Sequence, residues 1–519
     1  MSNPFELPPL QPELYRWHAN PEDPSLLQRS ANGVETWCAS KDINEAGCYD
    51  FYQAAVLRLV DVSGLSLTRF KKALVRALLD ARFENPTISC YAVWGKHAKA
   101  HLPYITYKSF DGTAEAEAWA NDIIQVRNTH LDSQQLRAER FAKRQASGII
   151  AASHPLDVIV SADVASEDTV FAPGTKVEAI CFFNHATWDG KGRFFCAELL
   201  QRAVDILDSG KEAEPTTHKW GEEKERLDKP LLDSMQVGLD ELDNDELVEL
   251  QKEFIEKHSK IGASWGIKVN PNLGPPGEVR HTLTAGHSKK IQAAVKSRLG
   301  GKYNDGHLGH AATILVMLDY NPIPEDKKDS ACLYSPLPID GRRYLDEARD
   351  TERYGNIQTS AVVEIKRLAD WAPKGDDPNA TKVALEKLCK HLKKGYDYWL
   401  NQPDYHLPMG VAYHNWMSDG VAANPGVVPE IFAPAFCNDG RSEIMMATEL
   451  AGPSSGTKFF ETVDSYCGMD MLSFTNTIRM DSWKGETRLA FNYNEGHMDR
   501  DVAQAYLADI ARYMVKFCE

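Results

Sequence analysis

The residues with the clearest chemical potential are a histidine, an aspartate and a glycine that lie close together in the chain. His185, Asp189 and Gly190 form the pattern HxxxDG. The apolar residues 177–183 before it predict a buried strand, and residues 192–207 after it predict a helix with one apolar face. The pattern therefore falls in a strand-to-helix turn. A neutral imidazole held there can take a proton from an alcohol that attacks a carbonyl.

Other interpretations of this pattern stay open at this point. HxxxDG fixes only three positions, so the plain alternative is a buried histidine that hydrogen-bonds to a turn. A metal site is a poorer alternative, because no HExxH motif or clustered His and Cys residues accompany it, and we expect no metal. A fainter pattern, His414 followed by Asp419 and Gly420, is interpreted as coincidence rather than as a decayed second copy.

The composition is that of a soluble globular protein. The 519 residues are 43% hydrophobic and 25% charged, with a net charge of −16. This charge argues against broad contact with nucleic acid or anionic membranes. The ten cysteines include no CxxC pair, which is typical of reduced thiols. With no signal peptide and no apolar run long enough to span a bilayer, we expect a cytoplasmic protein.

The length favours two subdomains rather than one core. We expect an N-terminal subdomain over residues 1–210, a crossover linker over 211–230, and a C-terminal subdomain over 231–519. The linker is charged and lacks apolar periodicity. Strands and helices mixed in both parts predict an α/β architecture. Strands are predicted at 54–62, 156–161, 177–183, 281–285, 357–365, 443–450, 473–480 and 487–493. Helices are predicted at 67–83, 113–146 with breaks, 192–207, 240–257, 288–299 and 500–517.

HxxxDG and three further segments together resemble the acyltransferase superfamily that includes chloramphenicol acetyltransferase, peptide-synthetase condensation domains and the BAHD enzymes. Residues 338–343 resemble its D-x-R segment, 354–356 its Gly-Asn turn, and 482–494 its last core strands. The wording FFNHATWDGKGRFF, IDGRRYL and SFTNTIRMDSWKGETRLAFNYNEG resembles the fungal trichothecene 15-O-acetyltransferase branch, over most of the chain. The DFGWG motif of the plant enzymes is absent; residues 466–470 keep only a glycine and an acid. This questions plant-type membership more than the chemistry.

The resemblance implies two chloramphenicol-acetyltransferase-like subdomains, each of mixed sheet flanked by helices, with a solvent tunnel between them. It implies transfer of acetyl from acetyl-CoA to a hydroxyl of a hydrophobic small molecule, namely the C-15 hydroxyl of a trichothecene such as 15-decalonectrin. His185 would be the general base, with no acyl-enzyme. Asp189 would orient the turn by pairing with Arg342 or, as second choice, Arg343. Gly190 would free backbone space at the helix start. Another acceptor alcohol or amine stays open, and a monomer is expected.

Two further groups of residues are candidates for binding. Basic residues near the start of a predicted helix could hold the phosphates of CoA together with helix N–H groups, and the alternative is a solvated helix face. These residues are Ser288, Lys289, Lys290, Lys296 and Arg298. Candidate oxyanion or substrate contacts, by position on a late strand, are Ser473, Thr475 and Asn476.

Two other classes of function compete with acyl transfer. Ser454 lies in a GxSxG pattern with Asp464 and His497 behind it, the order found in serine ester hydrolases. Against this, more than 450 residues precede the serine, and Pro453 directly precedes it. The other class is a non-catalytic binding module, which the intact HxxxDG pattern argues against.

Overall fold

The computed structural model of the protein describes residues 10–44, 49–60, 64–93, 103–147, 154–346, 353–374, 379–423 and 429–519. These residues form an α/β structure, and its α-helices are α1 Gly33–Asn44, α2 Leu67–Glu84, α3 Thr113–Ile123, α4 Ser133–Ser147, α5 Gly192–Ser209, α6 Asn244–Ser259, α7 Ala285–Leu299, α8 Asp305–Tyr320, α9 Ala380–Leu400, α10 His406–Ala423 and α11 Arg500–Cys518.

The strands of the described residues belong to five sheets. In chain order they are β1 His18–Ala19, β2 Leu26–Ser30, β3 Phe51–Leu59, β4 Tyr91–Val93, β5 Tyr104–Lys108, β6 Ile124–Arg127, β7 Leu156–Ser161, β8 Lys176–Phe183, β9 Ile267–Lys268, β10 Pro276–Thr282, β11 Leu333–Asp340, β12 Gln358–Ile365, β13 Ile431–Phe432, β14 Ala435–Arg441, β15 Glu449–Ala451, β16 Lys458–Met469, β17 Thr477–Trp483 and β18 Glu486–Asn494. The six-stranded sheet and the sheet that contains β14 and β17 are mixed, and the other three are antiparallel.

The larger sheet of the first half carries the strand that leads into HxxxDG. Its strand order is β15-β16-β3-β8-β7-β6, and β8 pairs with β3 and β7 in antiparallel fashion. Every residue of β8 except the first is buried, as expected for a central strand that is covered on both faces. Helices α2 and α5 contribute their apolar faces to the core under this sheet. The end of β8 is therefore a rigid place from which to project a side chain.

The second half has its own core around the sheet β10-β18-β17-β14. Helix α8 lies in the middle of this core, and its residues 308–318 are buried without interruption. Such a helix has no polar face because α7, α9 and α11 contribute to the same core around it. A separate two-stranded sheet, β11-β12, carries the 3-10 turn Gly341–Tyr344 at its end.

The two halves are joined by strand exchange as well as by the chain between them. Strand β16, near the end of the chain, pairs with β3 over the register Phe460 with Leu59 to Met469 with Phe51. A segment of the expected C-terminal subdomain thus completes the first sheet. The proposed boundary at 211–230 stays a prediction, but the sheet itself does not divide there.

Most predicted elements overlap observed ones, and the departures lie at 281–285, 443–450, 473–480 and within 113–146. The strand predicted at 281–285 is observed as β10, Pro276–Thr282, and Ala285 already begins α7. The strand predicted at 473–480 begins only at Thr477. The strand predicted at 443–450 is wrong, because Ser442–Ile444 is a 3-10 turn and pairing begins only at Glu449. Its apolar run is not buried throughout, since Ile444 is 65% exposed. The long segment predicted at 113–146 contains β6 between its two helices. The fainter pattern at His414 lies inside α10 rather than in a strand-to-helix turn, so it is not a second copy of the motif.

Two properties of the described residues concern membrane insertion and metal binding. No helix among them combines the length and the apolar character that crossing a bilayer requires. Within the same residues, no three His, Cys, Asp or Glu side chains come together in a group that could ligate a metal ion.

Candidate active site

The HxxxDG turn is closed by its own backbone. The N–H groups of Thr187 and Trp188 donate to the carbonyl of Asn184 at 3.2 and 3.0 Å. At the other end, the N–H of Gly192 donates to the carbonyl of Asp189 at 2.9 Å, where α5 begins. These bonds leave the turn little freedom to change shape, so its side chains keep fixed directions.

The carboxylate of Asp189 is buried, with 3% of the residue exposed, and it is turned towards the second half. Its Oδ2 accepts hydrogen bonds from Nη1 of Arg342 and from the N–H of Ile357, both at 2.8 Å. Its Oδ1 accepts from the N–H of Lys191 at 3.0 Å. Arg342 in turn donates through Nη2 to the carbonyl of Gly355 at 2.6 Å. The aspartate therefore connects the turn to the second half of the protein.

His185 is held through its backbone by both halves of the protein. Its N–H donates to Oδ1 of Asp50 at 3.3 Å, and its carbonyl accepts from Nδ2 of Asn356 at 2.6 Å. The ring packs edge-on against Phe51, with the two centroids 5.3 Å apart. Its Nδ1 lies 3.5 Å from Asn356 Nδ2, on the side of the backbone. The Nδ1 side of the ring therefore faces protein groups.

The surroundings of His185 keep its imidazole neutral. The residue is 5% exposed, and burial lowers the pKa of the ring below its ordinary value. A hydrogen bond of the ring to its own backbone, and the negative charges of Asp189 and Asp50, act in the opposite direction and are smaller effects. A neutral imidazole is the form that can accept a proton at neutral pH.

An aromatic cluster packs beneath the turn. Trp188 lies 5.0 Å from Phe183, 5.1 Å from Phe195 and 5.7 Å from Tyr354, measured between ring centroids. Its backbone forms an isolated β-bridge to Gly355 of the second half. The turn thus packs against both halves through apolar contacts as well as through the Arg342 ion pair.

The surroundings of Gly190 differ from the prediction that this glycine frees backbone space at the helix start. A Cβ there would meet nothing within 4 Å, and the residue is exposed, so no protein contact requires glycine at this position. The close approach occurs at Gly192, where a Cβ would lie 3.0 Å from the ring of Phe183. Arg343, the second-choice partner of Asp189, is exposed, whereas Arg342 is buried.

The candidate CoA residues lie on α7 and differ among themselves. The hydroxyl of Ser288 is buried, donates to the carbonyl of Thr284 at 3.0 Å and accepts from the N–H of Thr487 at 2.8 Å. Ser288 is therefore engaged inside the protein. Arg298 pairs with Glu386 at 2.7 Å. The exposed side chains of this group are those of Lys289, Lys290, Lys296 and Arg298. For these residues a phosphate site and a solvated helix face both stay open as interpretations.

The candidate oxyanion residues lie in the loop before β17 rather than on the strand itself. The hydroxyls of Ser473 and Thr475 are 2.9 Å apart and hydrogen-bonded to each other. Asn476 is 4% exposed, and its Oδ1 is buried without a hydrogen-bond partner. Because β17 begins only at Thr477, the alternation of a strand does not govern where these side chains point.

The structure does not assemble the hydrolase alternative. Ser454 lies in an exposed turn whose N–H donates to Asp208 at 2.9 Å. Asp464 accepts a hydrogen bond from Arg488 at 2.6 Å, and Nδ1 of His497 bonds the carbonyl of Asn270 at 2.6 Å. The three residues each have other partners, so the GxSxG pattern is a coincidence of sequence.

The sequence does not predict two residues that contact His185. Asn356 belongs to the Gly-Asn turn, but that pattern does not indicate its contact with His185. Asp50 lies 135 residues before His185 and belongs to no motif, so no spacing rule could have found it. Only the pairing of β3 with β8 brings it to the turn.

Fold and site together define an acyltransferase of the HxxxDG class, built from two α/β halves that meet at a buried histidine. More narrowly, the chain belongs to the 15-O-acetyltransferase Tri3 family, whose family model matches residues 7–418. It is thus an O-acetyltransferase, and neither the hydrolase nor the binding-module alternative is supported.

Several relatives resemble the chain over nearly its whole length. A Stachybotrys chartarum protein named as a 15-O-acetyltransferase, SAT12, is 46% identical over 99% of this chain and 92% of its own length. The trichothecene 15-O-acetyltransferase TRI3 of Fusarium sporotrichioides is 31% identical over 98% of both chains.

Solved structures agree with this assignment. The structure of the Fusarium sporotrichioides TRI3 enzyme aligns with a TM-score of 0.90 at 29% identity, and covers 98% of this chain and 99% of that one. The condensation domain of the monacolin K polyketide synthase MokA aligns with a TM-score of 0.54 at 12% identity, over 95% and 97% of the two chains. The second likeness confirms the fold alone.

Proposed function

We propose that the protein transfers the acetyl group of acetyl-CoA to the C-15 hydroxyl of a trichothecene, with His185 as the general base. The reaction forms the bond between the acceptor oxygen and the acetyl carbon and breaks the bond between that carbon and the thiol sulfur. The proton of the hydroxyl passes to Nε2 of His185 and then to the departing thiolate. No acyl-enzyme forms.

The observation that carries this proposal is the environment of His185. An aliphatic hydroxyl is far too weak an acid to ionise at neutral pH, so a base must take its proton as attack proceeds. Such a base contributes roughly 10²–10⁴-fold to the rate. Burial lowers the pKa of His185, which keeps the ring in its proton-accepting form. Contacts to its backbone from Asp50 and Asn356 hold the ring in place, and positioning of this kind is a large part of catalysis.

Asp189 contributes to the site through structure. Its carboxylate has three hydrogen bonds, to Arg342, Ile357 and Lys191. Together they leave it no role as a proton acceptor. Its charge close to His185 also favours the imidazolium that forms when the proton moves. Donors for the tetrahedral oxyanion, each worth about 3 kcal/mol in such enzymes, are proposed to come from the loop that holds Ser473, Thr475 and Asn476.

The substrates are proposed from the names of the relatives. The Fusarium sporotrichioides relative is named a trichothecene 15-O-acetyltransferase, and the chain matches it over nearly its whole length. Acetyl-CoA is the acetyl donor proposed for such a transfer, with the lysines of α7 as candidate phosphate ligands. Another alcohol or amine of similar size is the competing acceptor. A solvent tunnel, a monomeric state and a cytoplasmic location remain predictions.

The test measures thiol release from acetyl-CoA in the presence and absence of a trichothecene with a free C-15 hydroxyl. We expect release that depends on the acceptor, a product acetylated at C-15, and a loss of at least about 100-fold in His185→Ala. The matched control is His414→Ala, which removes another buried histidine far along the chain. Full activity in His185→Ala would exclude the proposed base. Acetylation of other alcohols in preference to the C-15 hydroxyl would exclude the proposed acceptor.

A further inference from the structure

A buried carboxylate next to the HxxxDG turn has contacts that the proposed reaction does not yet explain. Asp50 directly precedes β3, and its side chain is 4% exposed. The antiparallel register sets Phe51 opposite Phe183, so Asp50 lies beside the first residues of the turn. Its Oδ1 accepts from the N–H of His185 at 3.3 Å and from Nδ2 of Asn184 at 3.2 Å.

The second oxygen of Asp50 is paired with an arginine from the same half. Nη2 of Arg144, on α4, donates to Oδ2 of Asp50, and the arginine side chain is only 13% exposed. The backbone of Asp50 is also fixed, because its carbonyl accepts from the N–H of Asp470 at 2.6 Å. The carboxylate therefore cannot leave the turn without breaking its ion pair with Arg144, and the backbone that carries it is anchored.

The charged groups around the base come from several elements, and each carboxylate has an arginine partner. On the side of the second half, Asp189 faces Arg342, and on the side of the first half, Asp50 faces Arg144. Helix α1, which packs on Ala186, carries the buried Glu35, and this carboxylate pairs with Arg29 of β2. Each of these ion pairs is neutral overall. Removal of one charged side chain therefore changes the net charge near the imidazole by one unit.

We propose that Asp50 is a positioning residue for His185, and that its ion pair with Arg144 sets the electrostatic environment of the base. The carboxylate of Asp50 accepts a hydrogen bond from the backbone N–H of His185. The positive charge of Arg144 partly offsets the negative charge of this carboxylate. This inference rests on the proposed function, since it assumes that His185 is the base. It adds a residue that lies outside the HxxxDG and D-x-R segments.

The inference predicts opposite effects for the two members of the pair. In Asp50→Asn the shape is kept but the negative charge is lost, and the remaining arginine disfavours the imidazolium, so the pKa of His185 falls. In Arg144→Gln the carboxylate remains without this arginine and favours the imidazolium, so the pKa rises. A role in folding alone would weaken both variants and shift neither value.

The matched control is an ion pair on the same helix, one turn earlier. Arg140 pairs with Asp157 of β7, and their side chains are 20% and 13% exposed. The pair contacts the same sheet but not the turn. Arg140→Gln and Asp157→Asn thus remove a similar interaction without changing the charge next to His185.

The experiment uses the full-length protein and two readouts. The first is the pH profile of kcat/KM, whose acidic limb reports the free base. The second is the ¹³C-histidine NMR titration of the ring of His185, assigned by the resonance missing in His185→Ala. We expect both to shift down by about one pH unit in Asp50→Asn and up by about one unit in Arg144→Gln. The controls should stay at the wild-type value.

The outcomes separate this inference from the proposed function. Suppose that His185→Ala is inactive, but that the pKa of His185 shifts in the same direction in Asp50→Asn and Arg144→Gln, or in neither. Asp50 then has no electrostatic role and the inference is overturned. If His185→Ala is active, the proposed base itself is wrong. Either variant alone shows the direction in which the pKa of His185 shifts. If circular dichroism shows that one variant does not fold, the other still tests the inference.

Discussion

Nη1 of Arg342 lies 2.8 Å from Oδ2 of Asp189, and this contact joins the second half of the protein to the HxxxDG turn. Both side chains are about 95% buried. The arginine also reaches the carbonyls of Arg353 and Gly355. One side chain thus connects the turn that carries His185 to the Gly-Asn turn that contacts His185 from the second half.

Removal of Asp189 should harm folding as well as catalysis. Asp189→Ala leaves a buried guanidinium without its carboxylate, which costs about 3–5 kcal/mol in the free energy of unfolding. Urea unfolding measures this loss. The control is Asp233→Ala, which breaks the exposed pair with Arg16 and should cost less than about 1 kcal/mol. An inactive Asp189→Ala protein with wild-type stability would contradict the structural role.

Lysine should not replace Arg342. The guanidinium donates to four acceptors, and a single ammonium cannot match this geometry. The acceptors are Asp189, Asp340, Gly355 and Arg353. We expect Arg342→Lys to lose about 2–3 kcal/mol of stability and to lower kcat more than it raises KM. Thermal unfolding and steady-state kinetics check both. Wild-type behaviour would show that charge alone suffices there.

The protein should lose stability as the pH falls from 7 to 5. Burial lowers the pKa of several histidines, so in this range they stay neutral when folded but take up protons when unfolded. The unfolded state then binds more protons, and each such histidine lowers the free energy of unfolding by about 1.4 kcal/mol per pH unit below its unfolded pKa. The residues are His185, His258 and His310 (the last two with pKa values of about 3), and His406 and His414 (about 4).

Urea unfolding at several pH values tests this dependence. The control is His310→Gln, which removes one histidine that hydrogen-bonds to Tyr396 and Ser335. This variant should reduce the pH dependence of the free energy of unfolding by the contribution of one histidine. Stability that is flat between pH 7 and 5 would show that these rings are protonated in the folded protein.

Ser454 should be dispensable. It lies in an exposed turn and has neither the histidine nor the aspartate of a hydrolase beside it. We expect Ser454→Ala to keep acetyl transfer within about twofold of wild type, as for most surface substitutions. Abolished activity, measured by thiol release, would revive the hydrolase interpretation.

Gly468 should not tolerate a side chain. A Cβ there would collide with Oε2 of Glu278 and lie 2.6 Å from Cε1 of Tyr52, and both neighbours are buried. Gly468→Ala should therefore destabilise the protein by about 1–3 kcal/mol. At Gly262 a Cβ would meet nothing within 4 Å, so Gly262→Ala should be close to neutral. Equal melting temperatures for the two variants would contradict the packing described here.

Prediction from the sequence worked best where a pattern is local. The helix predicted at 67–83 is observed as Leu67–Glu84, and the strand predicted at 156–161 is observed as Leu156–Ser161. Both have clear periodicity and clear ends. Prediction failed at 443–450, where an apolar run belongs to an exposed turn, because composition does not say which apolar residues become buried.

By itself, the sequence determined that His185 and Asp189 belong to a strand-to-helix turn, since that depends on neighbours within a few residues. It also named Arg342 as first choice for the partner of Asp189, through a resemblance between segments. Only the tertiary structure decided that Asp50 and Asn356, from the two halves of the protein, hold the backbone of His185. The reason is physical: strand register and the packing of distant segments bring these residues together, and no local pattern encodes such contacts.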